Sequence, residues 1–442
     1  MSQSPSLVSR RAFLLGATAA ALTPRWAGAA LPSNPDVVVI GAGAAGLAAA
    51  RTLMEDGFSV ALLEARWRTG GRAYTETETF GVPYDQGCHW LHNEGHNPWI
   101  DYGRDHGFTV YRARSDETLF VGAREATEAE YAAYDTAYNT ASRAIAKAGE
   151  AERDIAAGEV VPEKGAWAPL VAAQHGAWSM GKDLGDFSCL DWWNSAGGGD
   201  WFCKEGFGSL VAHYGRDLPV KLSSPVRRIR WDGPGVTVEF PAGSLRAKAA
   251  IVTVSTGVLA AEKIAFDPPL PVETREAFDR ISMGTYNNIA LMFSEDLFEL
   301  GDDAYIAYRM ETPEGMGLIS NVSGTGLSYG YVGGSFGHEL ERAGAEAAVD
   351  FGLGEVRKLV GGRTDRAFVK GTMSRWGEDP WTLGAYASAE PGYTHLREML
   401  RQPVGERVFF AGEACHPDLW ATCGGALLSG IQTAGAVSRA LQ

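Results

Sequence analysis

The chain has 442 residues, of which 45% are hydrophobic and 21% charged, with 55 glycines. This balance excludes a disordered chain and fits an ordered, glycine-rich α/β protein long enough for two domains. The net charge is −15, and −18 once residues 1–29 are set aside with Arg10, Arg11 and Arg25, which argues against nucleic acid or an anionic membrane as partner.

In chain order, the first feature is an export signal. Ser9-Arg10-Arg11-Ala12-Phe13-Leu14 precedes an apolar run from Leu15 to Leu22 and the small residues Ala27-Gly28-Ala29. This reads as a twin-arginine signal over residues 1–30, sending the mature chain to the periplasm. The run is shorter than the ~20 residues a membrane span needs, and no later segment is long and apolar enough, so no stable membrane insertion is expected.

Val37 to Ile40 is a short β-branched run, Gly41 to Leu53 reads as a turn entering an Ala-rich helix, and Val60 to Leu63 is a second strand. Gly41-Ala42-Gly43-Ala44-Ala45-Gly46 thus lies between strand and helix. Gly41 permits the tight turn, Gly43 lets a pyrophosphate approach the backbone, and Gly46 lets helix and strand pack closely. Phosphates at the helix N-terminus meet free N–H groups and a favourable dipole. Glu64 ends the second strand eighteen residues after Gly46, where a carboxylate can bind ribose hydroxyls. The segment Glu64-Ala65-Arg66-Trp67-Arg68-Thr69-Gly70-Gly71-Arg72 follows, with arginines able to pair with phosphate oxygens and a Gly pair allowing close approach.

Residues 126–159 predict surface helices. Strand patterns return at Val226–Trp231, Val236–Phe240, Ala250–Val254 and Ile289–Phe293, and residues 339–360 predict another helix. The chain closes with the strand Val408-Phe409-Phe410, a turn at Ala411-Gly412-Glu413 and a helix over 425–441. Five cysteines fit no metal spacing, and no metal is expected. Cys189 with Cys203 is a candidate disulfide, with free buried thiols as the alternative.

From Glu64 through Arg72 the sequence resembles the flavin-dependent amine oxidase family of monoamine oxidases, polyamine oxidases and flavin-type histone demethylases. The resemblance continues through Asp85-Gln86-Gly87-Cys88-His89-Trp90-Leu91-His92, Gly206-Phe207-Gly208-Ser209-Leu210 and Pro225-Val226-Arg227-Arg228-Ile229. It includes Trp376-Gly377-Glu378-Asp379-Pro380-Trp381, Gly384-Ala385-Tyr386 and Phe410-Ala411-Gly412-Glu413-Ala414. It is nearest to the polyamine oxidases.

The resemblance implies an α/β fold: a Rossmann-like FAD-binding domain from residues 36–95, 206–262 and 375–442, and a discontinuous α+β substrate-binding domain from 96–205 and 263–374. FAD would contact Gly41, Gly43, Ala45, Gly46, Glu64, Arg66, Gly71 and Arg72. Trp90, Leu91 and Trp376 would lie around the ring, and Val226 would touch the adenine part through its backbone. Gly412 and Glu413 would hold the ribityl-phosphate region. Ala385 stands where monoamine oxidases attach FAD to a cysteine, so binding is expected to be non-covalent.

Tyr386 matches the family's aromatic residue on the substrate side of the flavin. Thr422 falls where monoamine oxidases place a second tyrosine and implies a more open site. His92 aligns with a polar residue that contacts the substrate nitrogen, and a neutral imidazole there would accept a hydrogen bond from the amine. His89 would face the other way. Asn288 stands at the family's usual lysine, and no lysine lies between Lys263 and Lys358.

The implied reaction is hydride transfer from a polyamine-like or secondary amine to flavin N5. The imine then hydrolyses to an aldehyde and an amine. Electrons pass to O2, giving H2O2, or to an electron-transfer protein; Asn288 puts fast reaction with oxygen in doubt. An amino-acid oxidase or desaturase on the same fold, and a flavin-binding protein without turnover, are the alternatives.

Overall fold

A computed structural model describes residues 31–442, so the expected export signal lies outside the described residues. Val37–Ile40 is apolar at all four positions and buried on both faces, as a central parallel strand requires. It sits in a five-stranded parallel sheet ordered Val408–Phe410, Ala249–Val252, Val37–Ile40, Val60–Leu63 and Val220–Lys221. The helix Ala44–Glu55 covers one face together with the closing helix Cys423–Leu441. A four-stranded sheet ordered Gly243–Ala247, Val236–Phe240, Arg228–Arg230 and Ala265–Asp267 helps to close the other face over a second apolar core.

The second large unit is a seven-stranded mixed sheet, ordered Phe368–Met373, Tyr286–Phe293, Leu327–Gly333, Gly317–Ser320, Ala304–Tyr308, Glu117–Val121 and Arg124–Glu125. Every strand of it falls within residues 96–205 and 263–374. The long helix Glu128–Glu150 starts at a capping box, in which the Thr127 hydroxyl accepts from the Glu130 N–H and Glu130 reaches back to the Thr127 N–H.

Some element boundaries differ from the sequence expectation. The helical stretch predicted to run to residue 159 stops at Glu150, where Glu152 adopts a left-handed backbone with φ 55°. The predicted helix over 339–360 is two helices, Gly334–Ala343 and Ala345–Val360, broken at Gly344 with φ 97°. Of the two states left open for Cys189 and Cys203, the structure has free buried thiols: all five cysteines are free, and these two lie in different cores.

Candidate active site

Two cavities meet at the junction of the two units. The smaller is walled by the glycine turn, Glu64, Val226, Gly412 and Glu413; the larger, about 640 Å³, opens among the aromatic residues of the seven-stranded sheet. Arg72, Ala385, Tyr386 and Thr422 belong to both walls.

The glycines have distinct causes. Gly41 has φ 103°, and a Cβ there would lie 2.5 Å from Thr253 Oγ1. A Cβ on Gly46 would lie 1.9 Å from the Gly41 carbonyl oxygen, so Gly46 serves helix–strand contact and does not line the cavity. Gly43 differs: a Cβ there would meet nothing nearer than 3.9 Å, and one on Gly412 nothing within 4 Å. At Gly412 the backbone, with φ 155°, favours glycine by itself, whereas at Gly43, with φ −77°, neither packing nor backbone conformation demands it. Open space before a helix N-terminus is what a pyrophosphate needs, so the residues fit a dinucleotide.

Glu64 is buried and accepts from the Ala42 N–H at 2.6 Å and the Arg66 N–H at 2.8 Å; burial pushes its carboxyl up despite these bonds. Ala45, Gly71 and Val226 line the same cavity. Arg66 pairs with Asp379 at 2.7 Å, and its buried Nη2 has no partner among the described residues. Arg72 donates to the Ala385 carbonyl at 2.7 Å and to Glu413 Oε1 at 2.9 Å. Glu413 Oε2 accepts from Ala421 at 3.1 Å and Ala387 at 3.4 Å. Both Glu413 oxygens therefore already hold the shared wall, which leaves the backbone turn at Gly412 to face the cofactor. Ala385 offers that wall only a methyl group.

Of the three residues expected around the flavin ring, Leu91 lines neither cavity, whereas Trp90 and Trp376 border the larger one. Leu91 is fully buried in the core, its N–H and C=O both paired with Trp201, and it lines neither cavity. Trp90 faces the larger cavity, its indole N–H donating to Tyr305 Oη at 2.7 Å. Trp376 also borders the larger cavity and donates to the Gln86 carbonyl at 2.8 Å, bracing the segment before Cys88.

Tyr386 opens the strand Tyr386–Ala389 and stands between the cavities, its hydroxyl donating to the Ser179 carbonyl at 3.2 Å. Its ring lies 5.8 Å from that of Tyr286, which is nearly parallel to Tyr331 at 6.2 Å. Thr422 caps the closing helix: its hydroxyl accepts from Gly425 at 2.9 Å and donates to Leu419 at 2.7 Å. That hydroxyl shapes the wall and is not free to react. Asn288 is 1% exposed and borders the larger cavity, its Nδ2 reaching the Asp85 carbonyl at 3.5 Å. Its Oδ1 has no partner among the described residues. His89, expected to face the other way, is buried and pairs with Asp85 at 2.8 Å but also borders the larger cavity.

His92 sits on the larger cavity with Nδ1 2.9 Å from Asp200 Oδ1. Burial disfavours its charge, but the Asp200 carboxylate outweighs this and raises its pKa. The expected neutral imidazole is therefore reached only above a raised pKa. Asp200, Tyr286 and Glu117 are wall residues that the sequence reading missed. Tyr286 lies two positions before Asn288 on one strand, so period-two alternation would have found it. Asp200 is 108 residues from His92 and carried no local signal.

The turn, the open glycines and the aromatic second cavity define an FAD-binding oxidoreductase with a separate chamber for its organic substrate. The chain belongs to the flavin containing amine oxidoreductase family, whose model matches residues 173–438; a model of the NAD(P)-binding Rossmann-like domain matches residues 39–104. It uses FAD to oxidise a CH–NH bond. Polyamine oxidase 5 of Oryza sativa subsp. japonica is 30% identical, over 91% of this chain and 87% of its own. Probable polyamine oxidase 4 of Arabidopsis thaliana is 29% identical, over 90% and 86%. Among solved structures, wild-type putrescine oxidase bound to putrescine superposes with TM-score 0.77 at 21% identity, covering 92% of this chain and 99% of that one. Cyclohexylamine oxidase from Brevibacterium oxydans IH-35A gives 0.76 at 24%, with the same coverage.

Proposed function

We propose that the larger cavity binds a polyamine-like or secondary amine and presents its α-carbon to the flavin beside Tyr386. The observation that carries this reading is the composition of one wall. Tyr386, Tyr286 and Tyr331 supply an aromatic surface, while Glu117 and Asp200 supply carboxylates to the same cavity. A neutral amine packs against the aromatic faces, and a second, protonated nitrogen pairs with an acid. Glu117 Oε2 is held by Tyr134 at 3.1 Å and Gln174 at 3.3 Å, and burial pushes its carboxyl up, so a cation beside it would be welcome.

Bound FAD supplies the acceptor for the hydride. The chain supplies position. Once its proton is gone, His92 accepts a hydrogen bond from the amine, held in place by Asp200. The imine product hydrolyses to an aldehyde and an amine. An amino-acid substrate is disfavoured because the two arginines on the cavity are engaged, Arg72 with Glu413 and Arg114 with Asp116. Among the described residues no lysine lines the larger cavity. Asn288 brings no cation, which favours an electron-transfer protein over O2 as the faster acceptor. The periplasmic site rests on residues 1–30 alone.

The test is anaerobic addition of diamines, polyamines, secondary amines and amino acids to the yellow protein, followed by air. Bleaching by the amines supports the reading, and the rate of recolouring separates oxidase from dehydrogenase. A flavin that no amine bleaches sinks it.

A further inference from the structure

His89 borders the larger cavity at 3% exposure, and its Nε2 is buried with no partner among the described residues. Its other ring nitrogen is fixed. Asp85 Oδ2 lies 2.8 Å from His89 Nδ1, and a carboxylate only accepts, so Nδ1 carries the hydrogen and Nε2 of the neutral ring carries a lone pair. Asp85 is itself held. Its Oδ2 also accepts from the Phe207 N–H at 3.2 Å, and its Oδ1 from the Gly208 N–H at 3.4 Å and the Thr75 hydroxyl. Those N–H groups open the helix Phe207–Tyr214, whose dipole favours a carboxylate there. Phe202 packs against the imidazole at 4.5 Å and Tyr329 meets it edge-on at 5.1 Å. Burial pushes the Tyr329 hydroxyl well up, so it stays neutral, and Asp85 supplies the charge that faces the ring.

A buried acceptor left without a donor is costly, so Nε2 points to a ligand with a hydrogen to give. Asn288 repeats the pattern on the same cavity: its Nδ2 is tied to the Asp85 carbonyl at 3.5 Å, and its buried Oδ1 is unpaired among the described residues.

Resting on the reading of this cavity as the amine site, we propose that Asp85 and His89 form its proton-accepting dyad: Nε2 accepts a hydrogen bond from the protonated amine and then takes its proton. One N–H bond of the ammonium breaks and its electron pair stays on the amine nitrogen. An N–H bond forms at Nε2, and the positive charge passes to an imidazolium paired with Asp85. In water an alkylammonium is a weaker acid than an imidazolium by about ten-thousandfold. The Asp85 carboxylate favours charge on the ring, and desolvation of the ammonium disfavours charge there, so both narrow the gap. The two histidines of the cavity differ in this respect. His92, with a side chain 47% exposed, can trade its proton with water, whereas His89 trades with what the cavity holds.

Two measurements on the FAD-loaded protein test this. His89→Asn keeps a side-chain N–H for Asp85 and removes Nε2; His89→Gln places an amide near Nε2, and an amide is no base. In calorimetry, a tert-alkylamine, which has no α-hydrogen to lose, should bind His89→Asn about tenfold or more weakly than wild type. Its quaternary trimethyl analogue has no N–H and should bind both proteins equally. Wild type alone should prefer the amine over that analogue. In anaerobic stopped flow, reduction by a strongly basic amine at neutral pH should slow about a hundredfold or more in both variants. A β-fluorinated amine, already neutral at the assay pH, should narrow the gap between wild type and variants. Equal loss of both ligands in His89→Asn overturns the proposal, as does a wild type that binds the two equally or variants reduced at the wild-type rate. A wild type that no amine binds or bleaches overturns the reading of the cavity, and the proposal with it.

Discussion

Arg72 Nη1 donates to Glu413 Oε1 at 2.9 Å, joining residues 341 positions apart across the wall that the two cavities share. The carboxylate is nearly buried, and the same arginine nitrogen also holds the Ala385 carbonyl at 2.7 Å. Removing the charge loosens the segment after the glycine turn and the turn at Gly412 together. A charge-assisted hydrogen bond contributes about 1.5–3 kcal/mol, so Glu413→Gln should weaken FAD retention roughly tenfold or more. Flavin fluorescence released on dilution measures this directly. Unchanged flavin dissociation would show that the pair does not hold the cofactor wall.

His92 and Asp200 predict a pH dependence. Asp200 raises the His92 pKa above its ordinary value, against the opposing effect of burial. A protonated imidazole has no acceptor for the amine, so flavin reduction should slow as pH falls through that raised pKa. Asp200→Asn removes the carboxylate, lowers the His92 pKa and should move the acid limb to lower pH. Stopped-flow reduction at saturating amine across pH is the measurement. An acid limb that stays in place assigns the titration to another group.

What the sequence could reveal tracks how local each interaction is. The turn Gly41–Gly46, Glu64 and the Arg72 segment lie within one strand–helix–strand unit, so spacing alone exposed them. Tyr386 and Glu413 were found by resemblance and stand on the cavity walls. Leu91 was misplaced because the resemblance alone put it beside the flavin, whereas its backbone pairs with Trp201 and its side chain turns into the core. Asp200 and Glu117 were missed because their significance depends on partners contributed by other segments, His92 in one case and Tyr134 with Gln174 in the other. Thr422 was legible as a position but not as a helix cap, since capping requires knowing where the last helix starts.

Glu117 predicts a substrate split. It faces the amine cavity from the strand Glu117–Val121, and a second ammonium group on the substrate would find its carboxylate there. Glu117→Gln keeps the bonds to Tyr134 and Gln174 but removes the charge. The KM for a diamine should rise by about tenfold or more, as expected for a lost charge-assisted contact, while a monoamine's KM and both kcat values stay close to wild type. Equal changes for monoamine and diamine would remove Glu117 from the second-nitrogen site.

Asn288→Lys tests the electron acceptor. Asn288 Oδ1 is a buried acceptor with no partner among the described residues, at a position bordering the larger cavity. A lysine would bring a cation toward the region where reduced flavin meets oxygen, and charge placed where negative charge develops speeds a reaction. Recolouring of the amine-reduced protein in air should accelerate. If its rate is unchanged, the side chain at 288 does not control oxygen reactivity.

Asp191 and Arg397 predict how the two units stay registered. Asp191 is completely buried on the short helix Cys189–Asn194, and Arg397 meets both its oxygens at 2.9 and 2.6 Å. Asp191 also accepts from the Ala389 N–H at 2.7 Å, and Arg397 donates to the Ala414 carbonyl at 2.9 Å while lying 4.5 Å from the Trp420 ring. One ion pair therefore ties a helix of the substrate unit to the strand of Tyr386, the turn of Glu413 and a tryptophan of the amine cavity. Removing either partner strands a buried charge, a loss of about 3–5 kcal/mol. Asp191→Leu and Arg397→Met should each lower the unfolding midpoint sharply, and the double variant should recover much of the loss because no unpaired charge remains. Additive losses in that cycle would mean that packing, and not the paired charge, is what the two residues contribute.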